Sequence, residues 1–229
     1  QYIKFNEFYN YAVSNKFDYI ATGHYAEIRS ISGSNYLAKA KDQSKDQTYF
    51  LCNINKEVLD KTIFPLSELT KKEVREIAKS MNLSTFKKKD STGICFIGER
   101  PFPSFLENYI NDRPGKIVCD KGNEVGSHRG LSFYTLGQRQ GLGIGGLKNY
   151  DERPWYVIEK NLLENVLVVV QGNDNQNLFD KKLFVDSINW ISEPDLTEPM
   201  ELMAKIRYRQ DDQKCILTKK EGFFSVKFE

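Results

Sequence analysis

The chain has 229 residues, with 33 Lys or Arg against 31 Asp or Glu and a formal net charge of +2. That length suits one large domain or two to three small ones, each able to bury its own core. With 40% hydrophobic and 28% charged residues and no apolar run near the length of a membrane span, it reads as a soluble globular protein without a membrane anchor. Near-balanced charge excludes a bulk polycation but leaves room for local basic patches.

Residues 1–11 lack the basic start, apolar stretch and cleavage site of a signal peptide, which makes the cytoplasm the default compartment. Phe5, Phe8, Tyr9 and Ala12 recur at helical spacing, and residues 18–26 read as a strand running into a loop at Gly23. This is a helix-to-strand step of an α/β sheet. A second helix is expected over about 48–61. The next is marked by Thr70-Lys71-Lys72-Glu73, a capping box that satisfies the first free N–H groups, after which Val74, Ile77, Ala78 and Met81 form a stripe expected to be buried. Phe105, Leu106, Tyr109 and Ile110 follow Pro101 and Pro103 as a short helix ending before Pro114-Gly115.

From Gly115 the pattern turns to β, with short apolar runs at 116–119, 131–136, 155–159 and 166–171 cut by Gly, Asn and Asp. Residues 173–177 read as a linker. Runs at 183–190, 201–209, 214–219 and 223–229 then predict a small antiparallel barrel or sandwich. The sequence stops at Phe228-Glu229 in mid-strand, so further strands are expected beyond it.

The four cysteines, Cys52, Cys95, Cys119 and Cys215, are far apart and include no C-x-x-C pair, which points to neither a zinc site nor a disulfide framework. Cys95 stands out by its surroundings. Lys87-Lys88-Lys89 lead into Asp90-Ser91-Thr92-Gly93-Ile94, and nearby cations or unpaired N–H groups stabilise a thiolate and lower its pKa from about 8.5. A buried thiol acting as a small hydrophobe is the alternative for the same residue.

Basic residues gather at 71–100 and again at 205–220, and if both stretches faced one ligand a nucleic-acid backbone would be the matching anion. Gly141-Leu142-Gly143-Ile144-Gly145-Gly146 matches G-x-G-x-x-G in form only, because β-rich sequence and not a helix follows it. It reads as a surface loop, beside which Gln138-Arg139-Gln140 could touch a phosphate or a base edge. His24 lies after a strand end, where open α/β sheets bind ligands, or else it simply ties down its loop. Lys45-Asp46-Gln47 opens the predicted second helix, and Arg207-Tyr208-Arg209 sets an aromatic ring between guanidinium groups, a combination suited to RNA.

Four segments taken in order carry a resemblance: Ala21-Thr22-Gly23-His24-Tyr25-Ala26; Lys45-Asp46-Gln47-Thr48-Tyr49-Phe50-Leu51; Ser91-Thr92-Gly93-Ile94-Cys95-Phe96-Ile97-Gly98-Glu99-Arg100; and Tyr134-Thr135-Leu136-Gly137-Gln138-Arg139-Gln140-Gly141-Leu142-Gly143. Together they resemble the tRNA-specific 2-thiouridylase (MnmA) family, whose members replace the C2 oxygen of the wobble uridine, position 34, with sulfur. The resemblance implies an α/β plus β fold. Residues 1–64 would be the C-terminal part of an adenine-nucleotide-hydrolase-like (PP-loop ATPase) domain, joined by a catalytic cysteine loop at 90–105. Residues 65–89 and 106–175 would form a central, mostly β domain, and 176–229 an incomplete antiparallel β-barrel.

The same resemblance implies ATP, normally with Mg2+, which adenylates the uridine, and a persulfide sulfur delivered by a donor protein. Cys95 matches the persulfide-carrying cysteine and Gly23 a residue at the ATP site. His24, Lys45, Asp46, Gln47, Arg207 and Tyr208 match positions that contact tRNA. No residue matches a protein ligand to a metal. The family's Ser-Gly-Gly-x-Asp-Ser phosphate loop and its partner cysteine are expected upstream of Gln1, and a closing strand after Glu229. The chain is thus expected to be an internal portion of a longer cytoplasmic enzyme, inactive in isolation. Cys52, Cys119 and Cys215 are expected to be structural. A non-catalytic RNA-binding module with a buried Cys95 is the competing reading, and a redox enzyme is weaker because no C-x-x-C spacing exists.

Overall fold

A computed structural model of the protein describes residues 2–88, 105, 109–110, 112–192, 194–208 and 210–229. Cys95 and the 91–100 segment around it lie outside the described residues, as does Arg209. The chain divides into two compact units, one formed by Gln1–Lys89 with Lys181–Glu229 and the other by Asp90–Asp180. Residues 65–88 therefore group with the first unit, whereas the sequence placed them with 106–175.

The first unit opens with a π-helical turn, Ile3–Glu7, running into α1 (Phe8–Ser14), which buries Tyr9 and Ala12. β1 (Ile20–Ala21) is far shorter than the strand expected over 18–26. Its parallel partner, β4 (Thr62–Ile63), is equally short and is followed by Phe64-Pro65, and Pro65 has no N–H with which to extend a ladder. Between them β2 (Glu27–Ile31) and β3 (Ser34–Ala38) form an antiparallel hairpin that the sequence reading missed.

The single helix expected over 48–61 is two. A 3-10 turn spans Thr48–Leu51, and α2 (Lys56–Asp60) starts afresh because the Asn55 side chain accepts from Val58 N and caps it. Leu51, Ile54, Val58, Leu59, Ile20 and Phe64 are buried together as the core of this half.

α3 (Lys71–Ser80) has the predicted capping box, with Thr70 and Glu73 bonding reciprocally. Its expected buried stripe is not buried among the described residues: Val74 and Ala78 are half-buried, and Ile77 and Met81 are 45% and 64% exposed. Helical periodicity sets which residues share a face, not how much of the fold packs on it.

In the second unit β5 (Gly115–Cys119), β6 (Glu124–His128), β7 (Trp155–Asn161) and β8 (Val166–Gln171) form a sheet in the order β6-β5-β8-β7. β5 and β8 are parallel and the outer pairs antiparallel. Ile117, Val157, Leu167 and Val169 are fully buried at its centre. The run at 131–136 is a 3-10 turn, Leu131–Phe133, and not a strand. β6 escaped prediction because Glu-Val-Gly-Ser-His carries one apolar residue, while the burial of its His128 comes from bonds to Asn165 O and Gly130 N.

β9 (Lys182–Val185), β10 (Met200–Ala204), β11 (Gln213–Lys220) and β12 (Phe223–Phe228) return to the first unit as an antiparallel sheet, in the order β10-β11-β12-β9. Registered pairs Cys215–Phe228 and Leu217–Val226 point to one side and make its core. β9 and β10 are shorter than the runs at 183–190 and 201–209. β10 ends at Ala204 because the following backbone bonds elsewhere: Gln210 Oε1 accepts from Ile206 N at 3.1 Å and from Arg207 N at 3.3 Å.

Candidate functional site

Gly23 and His24 follow the carboxyl end of β1, the position at which open α/β sheets leave a ligand crevice. A Cβ built on Gly23 meets nothing within 4 Å, so its backbone faces open space. His24 is half-buried. Its ring lies 5.7 Å from that of Phe5 and 6.2 Å from that of Phe64, centroid to centroid. Lys4 Nζ approaches His24 Nε2 at 3.4 Å, and Thr22 Oγ1 lies 2.9 Å from His24 Nδ1. An ammonium can only donate, so Nε2 accepts and Nδ1 carries the proton given to Thr22. Burial first, and then the Lys4 charge, lower the His24 pKa to about 4, which keeps the ring neutral at physiological pH.

The 45–47 segment is fastened beside His24 by backbone exchange. Gln47 N donates to Tyr25 O at 2.8 Å, and Gln47 Oε1 accepts from Tyr25 N at 3.1 Å. Lys45 and Gln47 remain half-buried. Asp46 is only 6% exposed. One of its carboxylate oxygens accepts from Ala40 N at 3.0 Å, and the other from Thr48 N at 3.1 Å and Thr48 Oγ1 at 2.6 Å. Near the 3-10 turn as the sequence placed it, Asp46 is spent on holding the turn in shape.

Two aromatic residues that the sequence reading gave no role bring the distant half of the site to this segment. Tyr49 Oη donates to Ile206 O at 3.0 Å, and its ring centroid is 5.9 Å from that of Tyr208. Phe50 lies closer, 4.5 Å from Tyr208. Arg207, between Ile206 and Tyr208, is exposed. Further ties join the same two stretches. Asp212 pairs with Lys39 and lies 3.9 Å from Lys205, and Asn189 Nδ2 donates to the carbonyls of Cys52 and Ile54 at 2.9 Å each. Gly23, His24, 45–47 and 207–208 thus belong to one unit, linked through Tyr25, Gln47, Tyr49 and Phe50. Tyr49 and Phe50 lie in the segment 45–51, but no local pattern announces a partner 157 positions away.

Cys95 lies outside the described residues. Of the remaining cysteines Cys119 and Cys215 are buried, as structural thiols should be, while Cys52 is exposed and departs from that expectation. The glycine-rich stretch is a loop without a following helix. Leu142 is buried, and Ile144 and Leu147 pack on the second unit's core, which removes the dinucleotide reading and leaves Gln138 bonded to Gln140 O and Thr135 N. Among the described residues no three His, Cys, Asp or Glu side chains gather as metal ligands, and no helix is long and apolar enough to cross a membrane.

Comparison with known proteins matches three family models in succession. A tRNA methyl transferase HUP domain covers residues 1–99, a tRNA methyl transferase PRC-barrel domain 103–171, and an aminomethyltransferase beta-barrel domain 180–229. The tRNA-specific 2-thiouridylase MnmA of Hahella chejuensis is 50% identical over 227 residues, 99% of this chain and 62% of that protein. That of Legionella pneumophila (strain Lens) is 52% identical over 217 residues, 94% of this chain and 60% of the relative. That of Stutzerimonas stutzeri is 50% identical over 227 residues, 99% and 60% respectively. The chain spans about six-tenths of the length of these relatives.

Proposed function

Since the chain belongs to the tRNA-specific 2-thiouridylase (MnmA) family, we propose that it forms part of an enzyme that moves persulfide sulfur onto C2 of the wobble uridine of tRNA. The observation that carries this reading is the contact of Tyr49 and Phe50, which follow Lys45–Gln47 in the chain, with Ile206 and Tyr208. These contacts bring two stretches that each carry cationic and aromatic side chains into one unit, the residue types that suit a phosphate backbone with unstacked bases.

ATP fits the strand end at Gly23, where open space over the backbone lets a nucleotide approach. Bound with Mg2+, it supplies the chemistry that turns the uridine C2 oxygen into a leaving group. His24 enters as a neutral ring, held by Thr22 and Lys4, that orients the base without adding charge. Lys45, Gln47, Arg207 and Tyr208 grip the RNA, and Asp46 acts by fixing the turn that presents them.

Cys95 carries the sulfur. The terminal sulfur of its persulfide bonds to C2 as AMP departs with the former oxygen. A second cysteine thiolate then attacks Cys95 Sγ, which releases the thiouridine and leaves a disulfide between the two cysteines. The persulfide comes from a donor protein, and the setting is the cytoplasm.

The test uses the complete protein. A desulfurase loads it with sulfur, mass spectrometry reads persulfide at Cys95, and nucleoside analysis reads 2-thiouridine after ATP and tRNA are added. Loading that is equal in Cys95→Ser overturns the assignment. A native Cys95 that resists alkylation in a folded protein favours the non-catalytic RNA-binding module instead.

A further inference from the structure

A groove of about 770 Å3 runs along α3 in the first unit, lined by Lys72, Arg75, Glu76, Lys79, Phe86 and Lys87, with Lys71 at its head. Cations predominate, and of the two acids on the helix only Glu76 lines the groove. Glu73 is taken up by the capping box and by Lys41, whose Nζ is 3.2 Å away, and the Thr70 N–H and hydroxyl, followed by Lys41, pull its pKa down to about 2. Among the described lining residues Glu76 is the one acid, and its contact with Lys72 is long, at 4.0 Å between exposed groups.

The groove is also joined to the candidate site. Asp42, just before the 45–47 segment, accepts from Lys71 N at 2.9 Å, and Lys71 Nζ lies 5.9 Å from the Tyr25 ring centroid. Tyr25 is the residue that exchanges hydrogen bonds with Gln47. The head of α3 is therefore pinned to the backbone that presents Lys45 and Gln47, and the cations at 72, 75 and 79 continue that surface one helical turn at a time. At the groove's other wall Lys87 is eight positions before Cys95 in sequence.

We infer that the α3 groove is a second, sequence-independent docking surface for the tRNA backbone, on which Lys72, Arg75, Lys79 and Lys87 neutralise phosphates flanking the nucleotide held at His24 and Gln47. The inference rests on the proposed tRNA reading. An RNA backbone suits the face because point cations of one sign along a shallow groove contact phosphates without reading bases. Phe86 lines the groove beside Lys87, whose Nζ lies 5.4 Å from its ring centroid.

The experiment measures tRNA affinity of the complete enzyme against salt concentration for the wild type, for Lys72→Gln/Lys79→Gln/Lys87→Gln, and for Glu76→Lys. The triple variant should bind on the order of tenfold more weakly at physiological salt, and each lost phosphate contact should flatten the slope of log affinity against log salt by about 0.7–0.9. Glu76→Lys should tighten binding and steepen the slope. All cognate and mutated tRNA sequences should be affected alike. An unchanged slope in both folded variants, with weaker binding by Arg207→Ala, overturns the groove while leaving the tRNA reading intact. Absence of salt-dependent tRNA binding by the wild type overturns that reading itself. If the triple variant keeps its tRNA affinity but loses sulfur loading of Cys95, the face serves an acidic donor protein and the inference is wrong.

Discussion

The hydroxyl of Tyr49 donates to the backbone carbonyl of Ile206 at 3.0 Å, so a residue next to the 45–47 segment holds the loop that displays Arg207 and Tyr208. The bond lies between partly exposed groups and is worth about 1 kcal/mol, or roughly fivefold in an equilibrium. Tyr49→Phe removes it while keeping the ring contact with Tyr208. In the complete enzyme this change should weaken tRNA binding about three- to tenfold with no change in the salt slope, since no charge is lost. Titrations of tRNA at several salt concentrations check both parts, and an unaltered affinity would show that Ile206 needs no such anchor.

His24 gives a pH-dependent prediction. Its folded pKa of about 4 lies below the ordinary histidine value of 6.5, because burial and then Lys4 disfavour the charged ring. The unfolded chain thus takes up the proton first. The stability tied to neutral His24 is complete above pH 6.5 and is lost as pH falls toward about 4. The ring is only half-buried, so after solvent screening its share is below about 1 kcal/mol. NMR titration should place the His24 pKa well under the free value, and Lys4→Met should raise it part of the way back.

Local chemistry was the legible part of the sequence. The Thr70–Glu73 capping box lies within four residues and needs no tertiary knowledge, and β8 could be read from an unbroken apolar run. Asn55 escaped notice because a side chain that caps a new helix resembles any polar residue inside an old one. The candidate site was legible as separate motifs. What joins them was not, because Tyr49–Ile206 and Phe50–Tyr208 are contacts between residues that no periodicity relates. Asp46 was placed at its turn correctly, but its burial depends on Ala40 N, which belongs to the backbone after β3.

That last bond sets up a third prediction. Asp46→Ala leaves the buried N–H of Ala40 and the Thr48 N–H without their acceptor, at a cost of about 1–3 kcal/mol. For a chain of this size the melting midpoint should fall by roughly 2–4 °C per kcal/mol. Because the turn after Gln47 loosens as well, tRNA affinity should drop with stability. Asp46→Asn keeps one carbonyl acceptor and should recover part of both.

A fourth concerns the second unit. A Cβ on Gly115 would come within 2.2 Å of the Asn165 carbonyl oxygen and 2.6 Å of His128 Nε2, and the first of these is backbone that cannot swing aside. Gly115→Ala must push β5 away from the Asn165 turn and should cost roughly 3 kcal/mol or more. Calorimetry should show the loss, with Val166–Lys116 pairing the first part of the sheet to loosen.

Thiol labelling tests burial and the sulfur-carrier assignment together. Cys52 is exposed and should react with a neutral alkylating reagent in the native protein, whereas Cys119 and Cys215 are buried and should react only after unfolding. Cys215 is further protected because burial raises its pKa and keeps it a thiol at neutral pH. In the complete enzyme Cys95, as the proposed persulfide carrier, should react faster than Cys52, with a rate that follows a thiolate pKa below about 8.5. Cys52→Ser should leave that fast phase in place and Cys95→Ser should abolish it. Loading the enzyme with sulfur before alkylation should shift the mass of the Cys95 peptide by one sulfur atom and leave the Cys52 peptide unchanged. A fast phase that survives Cys95→Ser would transfer the reactive thiol to Cys52 and remove the sulfur carrier from its predicted place.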